Sequence, residues 1–177
     1  MDILFIKEAI LEFLNTLPEP NRSACIKILE DNEKRFLEAP GSQHNHQAWM
    51  GGYLGHIYET FVIAQNLHES LSLIRTLPFS LSDAILVLWL HDLEKPFKYL
   101  EPKTNFVNDN AKAEFVRSMI KQYGIVLTDE QVNALAYIHG EGADYNSHKR
   151  TQLPLAAFVH CCDTISARIW FNFPEHY

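Results

Sequence analysis

Residues 84–92 of the chain read AILVLWLHD, seven apolar residues in succession followed directly by His91 and Asp92. An unbroken apolar run predicts an element that is buried on every side. The length of the run, together with a capping serine at position 80 or 82, favours a helix over 82–94 rather than a strand. A carboxylate at the end of such a run is costly to bury unless another group compensates its charge. The pair therefore indicates a functional site, although ion-paired His-Asp dipeptides are also common.

The remaining segments also show helical spacing of their apolar residues. The predicted helices cover 2–17, 21–38, 52–69, 82–94, 108–124, 128–139 and 154–170. Lys95 precedes Pro96, which disfavours helix beyond that point. A capping box is predicted at Thr128, and Gly124 is expected to end the helix before it. Because no segment alternates with strand period, the fold class predicted is all-α, a single-domain helical bundle.

Composition limits the functions that the chain could have. It has 177 residues, 47% hydrophobic and 21% charged, with a net charge of −7. This charge argues against binding long duplex nucleic acid, which requires phosphate neutralisation. Three cysteines without zinc-type spacing fit reduced thiols, and we expect a cytoplasmic protein. The amphipathic N-terminus does not resemble a signal peptide, and no apolar run is long enough for a membrane span.

Three further residues stand out in segments that are predicted to be helical. His56 shares a helix face with Gly52, which leaves room for a ligand, but a hydrogen-bonded core histidine is an equal alternative. Asp163 lies in the middle of a helix, where aspartate has poor propensity. His160 precedes it by three residues, so a His160–Asp163 hydrogen bond would explain both residues without a metal ion.

Four segments together resemble the HD-domain superfamily of metal-dependent phosphohydrolases over about 44–170. The segments are HNHQAWMGGYLGH (44–56), LVLWLHDLEKP (86–96), AYIHGEG (136–142) and LAAFVHCCDTISAR (155–168). The resemblance implies a phosphohydrolase domain over 44–177. Residues 1–43 lie outside it and are predicted to be extra N-terminal helices packed on the core.

The resemblance implies a metal shell of His56, His91, Asp92 and Asp163. Imidazole nitrogen and carboxylate oxygen suit a divalent transition metal such as Mn, Fe, Co, Ni or Zn. Asp92 would also accept a hydrogen bond from the attacking water. Lys95 would hold a phosphate oxygen, with a solvated surface lysine as the equal alternative. Lys149, Arg150 and Arg168 are further phosphate candidates, with ordinary surface charge as the favoured alternative for each.

The number of metal ions is a separate question. His139 and His160 stand where ligands of a second ion, or groups just outside the first shell, would be expected. The segment from Lys98 to Val126 contains no histidine, although several dinuclear branches of the superfamily place one there. We therefore expect one tightly bound ion, with His139 as a phosphate contact or general acid and any second ion held weakly.

The predicted function is hydrolysis of a phosphate ester of a nucleotide or short oligonucleotide. One nucleotidase branch has Glu where this chain has Lys95, and the Gly-Tyr-Pro signature of cyclic-di-GMP phosphodiesterases is missing. The pattern is more similar to the domain attached to bacterial 3′–5′ exoribonucleases. Two alternatives are an HD-fold regulatory module that binds metal without turnover and an HD-fold di-iron oxygenase. The sequence assigns no oligomeric state.

Overall fold

The computed structural model describes residues 2–100, 106 and 108–170. Its α-helices in chain order are α1 (Ile3–Asn15), α2 (Asn21–Asp31), α3 (Glu33–Glu38), α4 (Gly52–Ile74), α5 (Leu81–Leu90), α6 (Lys95–Leu100), α7 (Asp109–Tyr123), α8 (Asp129–Tyr137) and α9 (Pro154–Ile169). A 3-10 turn covers Gly142–Asp144. No strand occurs among the described residues, which confirms the all-α prediction.

Local signals place several helix ends where the sequence predicts them. The Ser80 hydroxyl accepts from the backbone N–H of Asp83, whose carboxylate accepts from the Ser80 backbone in return. Thr128 forms the same reciprocal capping box with Gln131. Gly124 ends α7 at φ +69°, a left-handed conformation that glycine adopts without a Cβ clash. Satisfied end groups of this kind make a helix boundary predictable from a few residues.

Other boundaries differ from the prediction. The helix predicted over 21–38 is two helices, because the backbone leaves helical geometry at Asn32, whose side-chain amide donates to the Ile28 carbonyl. The buried helix ends at Leu90, and a new helix begins at Lys95 with Pro96 in its first turn. A proline is tolerated there because its missing N–H would have no partner inside the helix. Helix α4 continues to Ile74, beyond the predicted end near 69.

Helix α5 lies at the centre of the core. Every side chain from Ala84 to Leu90 is buried, and α4, α8, α9 and α1 pack around the helix. The N-terminal helix α1 contributes Ile10 and Leu14 to the same core. Because α5 is covered on all sides, the residues at its C-terminal end lie inside the bundle, between α4 and α9. None of the described helices combines the length and apolar character that a membrane crossing requires.

Candidate metal centre

Four polar side chains, from two helices and from the turn that follows a third, meet inside the bundle. His56 comes from α4, His91 and Asp92 follow the last turn of α5, and Asp163 comes from α9. Their exposed fractions are 0%, 7%, 1% and 9%. The structure thus brings together the four residues that the sequence proposes as a metal shell, in an environment with little access to solvent.

The spacing of these side chains fits ligands of one ion. His91 Nε2 lies 3.1 Å from Asp92 Oδ2, and His56 Nε2 lies 3.2 Å from Asp163 Oδ1. His56 Nε2 also lies 3.5 Å from Asp92 Oδ2, and His91 Nε2 lies 3.6 Å from Asp163 Oδ1. Atoms about 2.1 Å from a common ion are about 3.0 Å apart at right angles and about 3.4 Å apart at tetrahedral angles. The ligand atoms of His56, His91 and Asp163 all lie within 4.8 Å of one another and could hold a metal ion, and Asp92 Oδ2 adjoins both imidazoles of this group.

Three of these atoms are buried without a hydrogen bond. His56 Nε2, His91 Nε2 and Asp92 Oδ2 have no hydrogen-bond partner among the described residues. An unsatisfied buried polar atom costs about 1–3 kcal/mol. These three atoms converge on one point. Binding of a cation at that point would explain why they have no hydrogen-bond partner. The donor set of two imidazoles and two carboxylates fits a divalent transition metal.

Hydrogen bonds on the far side of each imidazole keep the inner nitrogen available. His91 Nδ1 lies 2.7 Å from the Leu88 carbonyl oxygen, so Nδ1 carries a proton and Nε2 is the nitrogen that faces the cluster. His56 Nδ1 lies 2.9 Å from Ser166 Oγ, and this hydroxyl donates to Glu59 Oε2 at 2.7 Å. Ser166 therefore accepts from His56 Nδ1–H. Partners of this kind orient metal-binding histidines and fix their tautomer.

Lys95 lies within this site. Its ammonium forms an ion pair with Asp92 Oδ2 at 2.5 Å, and only 14% of its side chain is exposed. Burial lowers the pKa of Lys95, but the Asp92 carboxylate outweighs this effect and raises it. Lys95 is therefore a charged group beside the metal shell.

His139 and His160 lie at the rim rather than in the shell. His139 Nε2 is 3.9 Å from Asp163 Oδ2, and His139 forms a second ligand grouping with His91 and Asp92 within 4.8 Å. Its side chain is 63% exposed. His160 Nδ1 instead bonds the Ile138 carbonyl at 2.6 Å. The alternative of a His160–Asp163 hydrogen bond is therefore wrong, because the nearest imidazole to Asp163 is that of His56.

Without a metal ion, protonated side chains offset the negative charge of the two carboxylates. Burial opposes the charged form of His91, but Asp92 and Asp163 outweigh it and raise the pKa of His91 to about 10. Burial lowers the pKa of His56 to about 4. Burial and the charge of Asp92 raise the pKa of Glu94 to about 7. A proton on His91 thus partly replaces the positive charge that a metal ion would supply.

A cleft of about 710 Å³ opens onto this site. It is lined by His44, Asn45, His46, Lys95, His139, His160, Asp163, Thr164, Ala167 and Arg168. Its volume is typical of ligand sites, which range over about 300–1,000 Å³. The lining carries two permanent cations and several imidazoles, so it suits an anionic ligand whose charged group reaches the metal shell.

Several polar residues around the site were not identified from the sequence. Glu59 and Ser166 support His56, and the fully buried Gln47 bonds to both of them. One signal could have found the first two: Glu59 lies three residues after His56 and Ser166 three residues after Asp163, one helical turn from a proposed ligand. Gln47 has no such signal, because its contacts depend on the path of a loop.

Comparisons with known proteins assign no family to this arrangement. No protein-family model, curated protein or solved structure matches the chain. The resemblance to the HD-domain superfamily stays a prediction carried by the four quoted segments. The structure adds a geometric fact: three of those segments contribute His56, the His91-Asp92 pair and Asp163 to one buried cluster.

Proposed function

We propose that the chain is a metal-dependent phosphohydrolase of the HD-domain type, acting on a phosphate ester of a nucleotide or short oligonucleotide. The observation that carries this proposal is the convergence of His56 Nε2, His91 Nε2 and Asp92 Oδ2, three buried atoms without a hydrogen-bond partner among the described residues, beside Asp163. An open cleft with cationic side chains adjoins that point. A site of this kind combines a cation-binding shell with access for an anionic substrate.

The metal would be held by His56, His91, Asp92 and Asp163. Among divalent ions, Mn, Fe, Co, Ni and Zn accept this mixture of nitrogen and oxygen ligands. When bound, such an ion supplies Lewis acidity toward a phosphoryl oxygen and makes a water molecule more acidic. The second grouping, which contains His139, supports at most a weaker site because His139 is mostly exposed.

The side chains around the shell have separable roles in this proposal. Asp92 lies where a carboxylate oxygen can accept a hydrogen bond from the attacking water and orient it. Lys95 can exchange its contact with Asp92 for a phosphate oxygen, since its ammonium already lies beside the shell. His139 is exposed to the cleft and can give a proton to the leaving oxygen. Together these groups place a nucleophile, an anion contact and a proton donor around one point.

The cleft and the net charge favour a small substrate. A volume of about 710 Å³ suits a mononucleotide or a short oligonucleotide. Arg168 lines the cleft and forms no ion pair with any described residue, so it remains able to contact a second anionic group. A net charge of −7 would repel a long polyanion outside the cleft.

The direct test is a screen of nucleotides and phosphodiesters with Mn²⁺, Co²⁺ and Ni²⁺ supplied in turn. We expect hydrolysis that requires the ion and is lost in Asp163→Ala, whereas His148→Ala, which alters an exposed loop histidine, retains it. Stoichiometric metal binding without turnover of any substrate would instead favour a regulatory module. Oxygen consumption by the iron-loaded protein would favour the oxygenase alternative.

A further inference from the structure

A buried glutamine fixes the loop that precedes α4. Gln47 has no exposed surface and a positive φ of 43°, which is unusual for a residue with a side chain. Its carbonyl accepts from Gly41 N–H at 2.9 Å. A Cβ at position 52 would lie 1.9 Å from the same oxygen, so glycine is required there. The loop over 41–50 is therefore held in one conformation against the helices.

The side-chain amide of Gln47 has one acceptable orientation. Its Nε2 lies 2.7 Å from Glu59 Oε2 and 3.3 Å from Ser166 Oγ. Two backbone carbonyls, of Ser166 and Trp170, also face Nε2 at 3.4 Å. A flipped amide would place its oxygen against a carboxylate and two carbonyls. Nε2 therefore faces these acceptors, and Oε1 faces the opposite direction, toward His46.

This orientation determines the tautomer of His46. Gln47 Oε1 lies 2.6 Å from His46 Nδ1, and an amide oxygen only accepts, so Nδ1 carries the proton. In the neutral ring Nε2 is then an acceptor, and no described residue donates to it. His46 lines the cleft, and its ring centroid is 5.1 Å from that of His56.

We infer that His46 Nε2 accepts a hydrogen bond from a sugar hydroxyl of the nucleotide. Gln47 and Glu59 are the positioning residues that fix the tautomer of His46. The inference rests on the proposed function. Nε2 accepts hydrogen bonds and cannot bond to an ionised phosphate, because the oxygens of that phosphate also only accept hydrogen bonds. The sugar is the part of a nucleotide that adjoins the phosphate, and its hydroxyls are donors. The site should therefore distinguish nucleotides by their sugar hydroxyls.

The first part of the test reads the tautomer directly. Nitrogen-15 spectra of the full chain loaded with Zn²⁺ and labelled at histidine should show His46 Nδ1 protonated and Nε2 unprotonated. In Gln47→Leu, or in Gln47→Met if the leucine variant does not fold, this preference should be lost. A protonated Nε2 in the parent protein, or direct coordination of Zn²⁺ by Nε2, would overturn the inference.

The second part measures nucleotide binding without turnover. Adenosine monophosphate should shift the His46 Nε2 resonance and bind about tenfold more tightly than 2′,3′-dideoxyadenosine monophosphate, as loss of one hydrogen bond predicts. His46→Phe should bind the two nucleotides equally, whereas the control variant His148→Phe, in an exposed segment outside the cleft, should keep the preference. Equal affinities in the parent protein, or no shift at His46 with either nucleotide, would overturn the inference. Because no hydrolysis is required, this outcome is separate from failure of the proposed activity.

Discussion

His56 Nε2 of α4 lies 3.2 Å from Asp163 Oδ1 of α9, and the two helices hold this pair beside the end of the most buried helix of the fold. The pair connects the first and last of the segments that resemble the HD-domain superfamily. Because α5 ends between these helices, His91 and Asp92 complete the cluster without any contribution from an exposed loop. The proposed metal shell is therefore built on rigid elements, as precise ligand geometry requires.

Removal of a ligand from this shell should abolish metal binding. We expect His91→Ala and Asp92→Ala each to lose stoichiometric binding of Mn²⁺ or Zn²⁺ in calorimetric titrations, together with any hydrolase activity. Variants of supporting residues such as Ser166→Ala should weaken binding by only about ten- to a hundredfold. Parent-like metal binding by either ligand variant would mean that the ion binds elsewhere.

Local sequence patterns predicted the helical class, and the family resemblance named four residues that the structure brings close together. The apolar run before His91 predicts a buried helix with a polar end, and the capping boxes fix where two helices begin. These patterns did not identify Gln47, because that side chain acts through acceptors on distant parts of the chain. The break at Asn32 was also missed. It depends on the Asn32 side-chain amide, which donates to the Ile28 carbonyl and so competes with the helical backbone for that acceptor.

Removal of the metal should destabilise the fold. A ligand present at about a hundred times its Kd adds about 2.7 kcal/mol to the free energy of unfolding. For a domain of this size that corresponds to a Tm increase of about 5–10 °C. Thermal unfolding with Zn²⁺ and then with chelator measures the difference. Asp163→Ala serves as the control, since it should show no metal-dependent shift; an identical Tm for the parent protein in both conditions would contradict the shell.

Metal affinity should rise with pH. Although burial opposes the charged form, the carboxylates raise the pKa of His91 to about 10 in the metal-free site, so the ion must displace a proton at neutral pH. Below that pKa, each unit of increasing pH should strengthen binding about tenfold, with close to one proton released per ion. Calorimetry in buffers of different ionisation enthalpy measures the release. A metal affinity that is independent of pH between about 6 and 8 would exclude displacement of the His91 proton by the ion.

Lys95 should affect the substrate more than the metal. We expect Lys95→Ala to lower kcat/KM by about ten- to a hundredfold, the effect of losing one charge-assisted contact to phosphate, with metal stoichiometry unchanged. Lys121→Ala, on an exposed part of α7, is the matched control and should retain parent kinetics. Unaltered kinetics for Lys95→Ala on the preferred substrate would remove this lysine from the site.

The most direct test of the metal centre is anomalous scattering from crystals grown without added metal. The four-residue shell predicts one strong peak about 2.0–2.2 Å from His56 Nε2, His91 Nε2, Asp92 Oδ2 and Asp163 Oδ1. Two peaks of comparable height about 3.5–4 Å apart would show that the site is dinuclear, with His139 as a ligand of the second ion. A strong peak bound by other residues, with none inside this shell, would contradict the account.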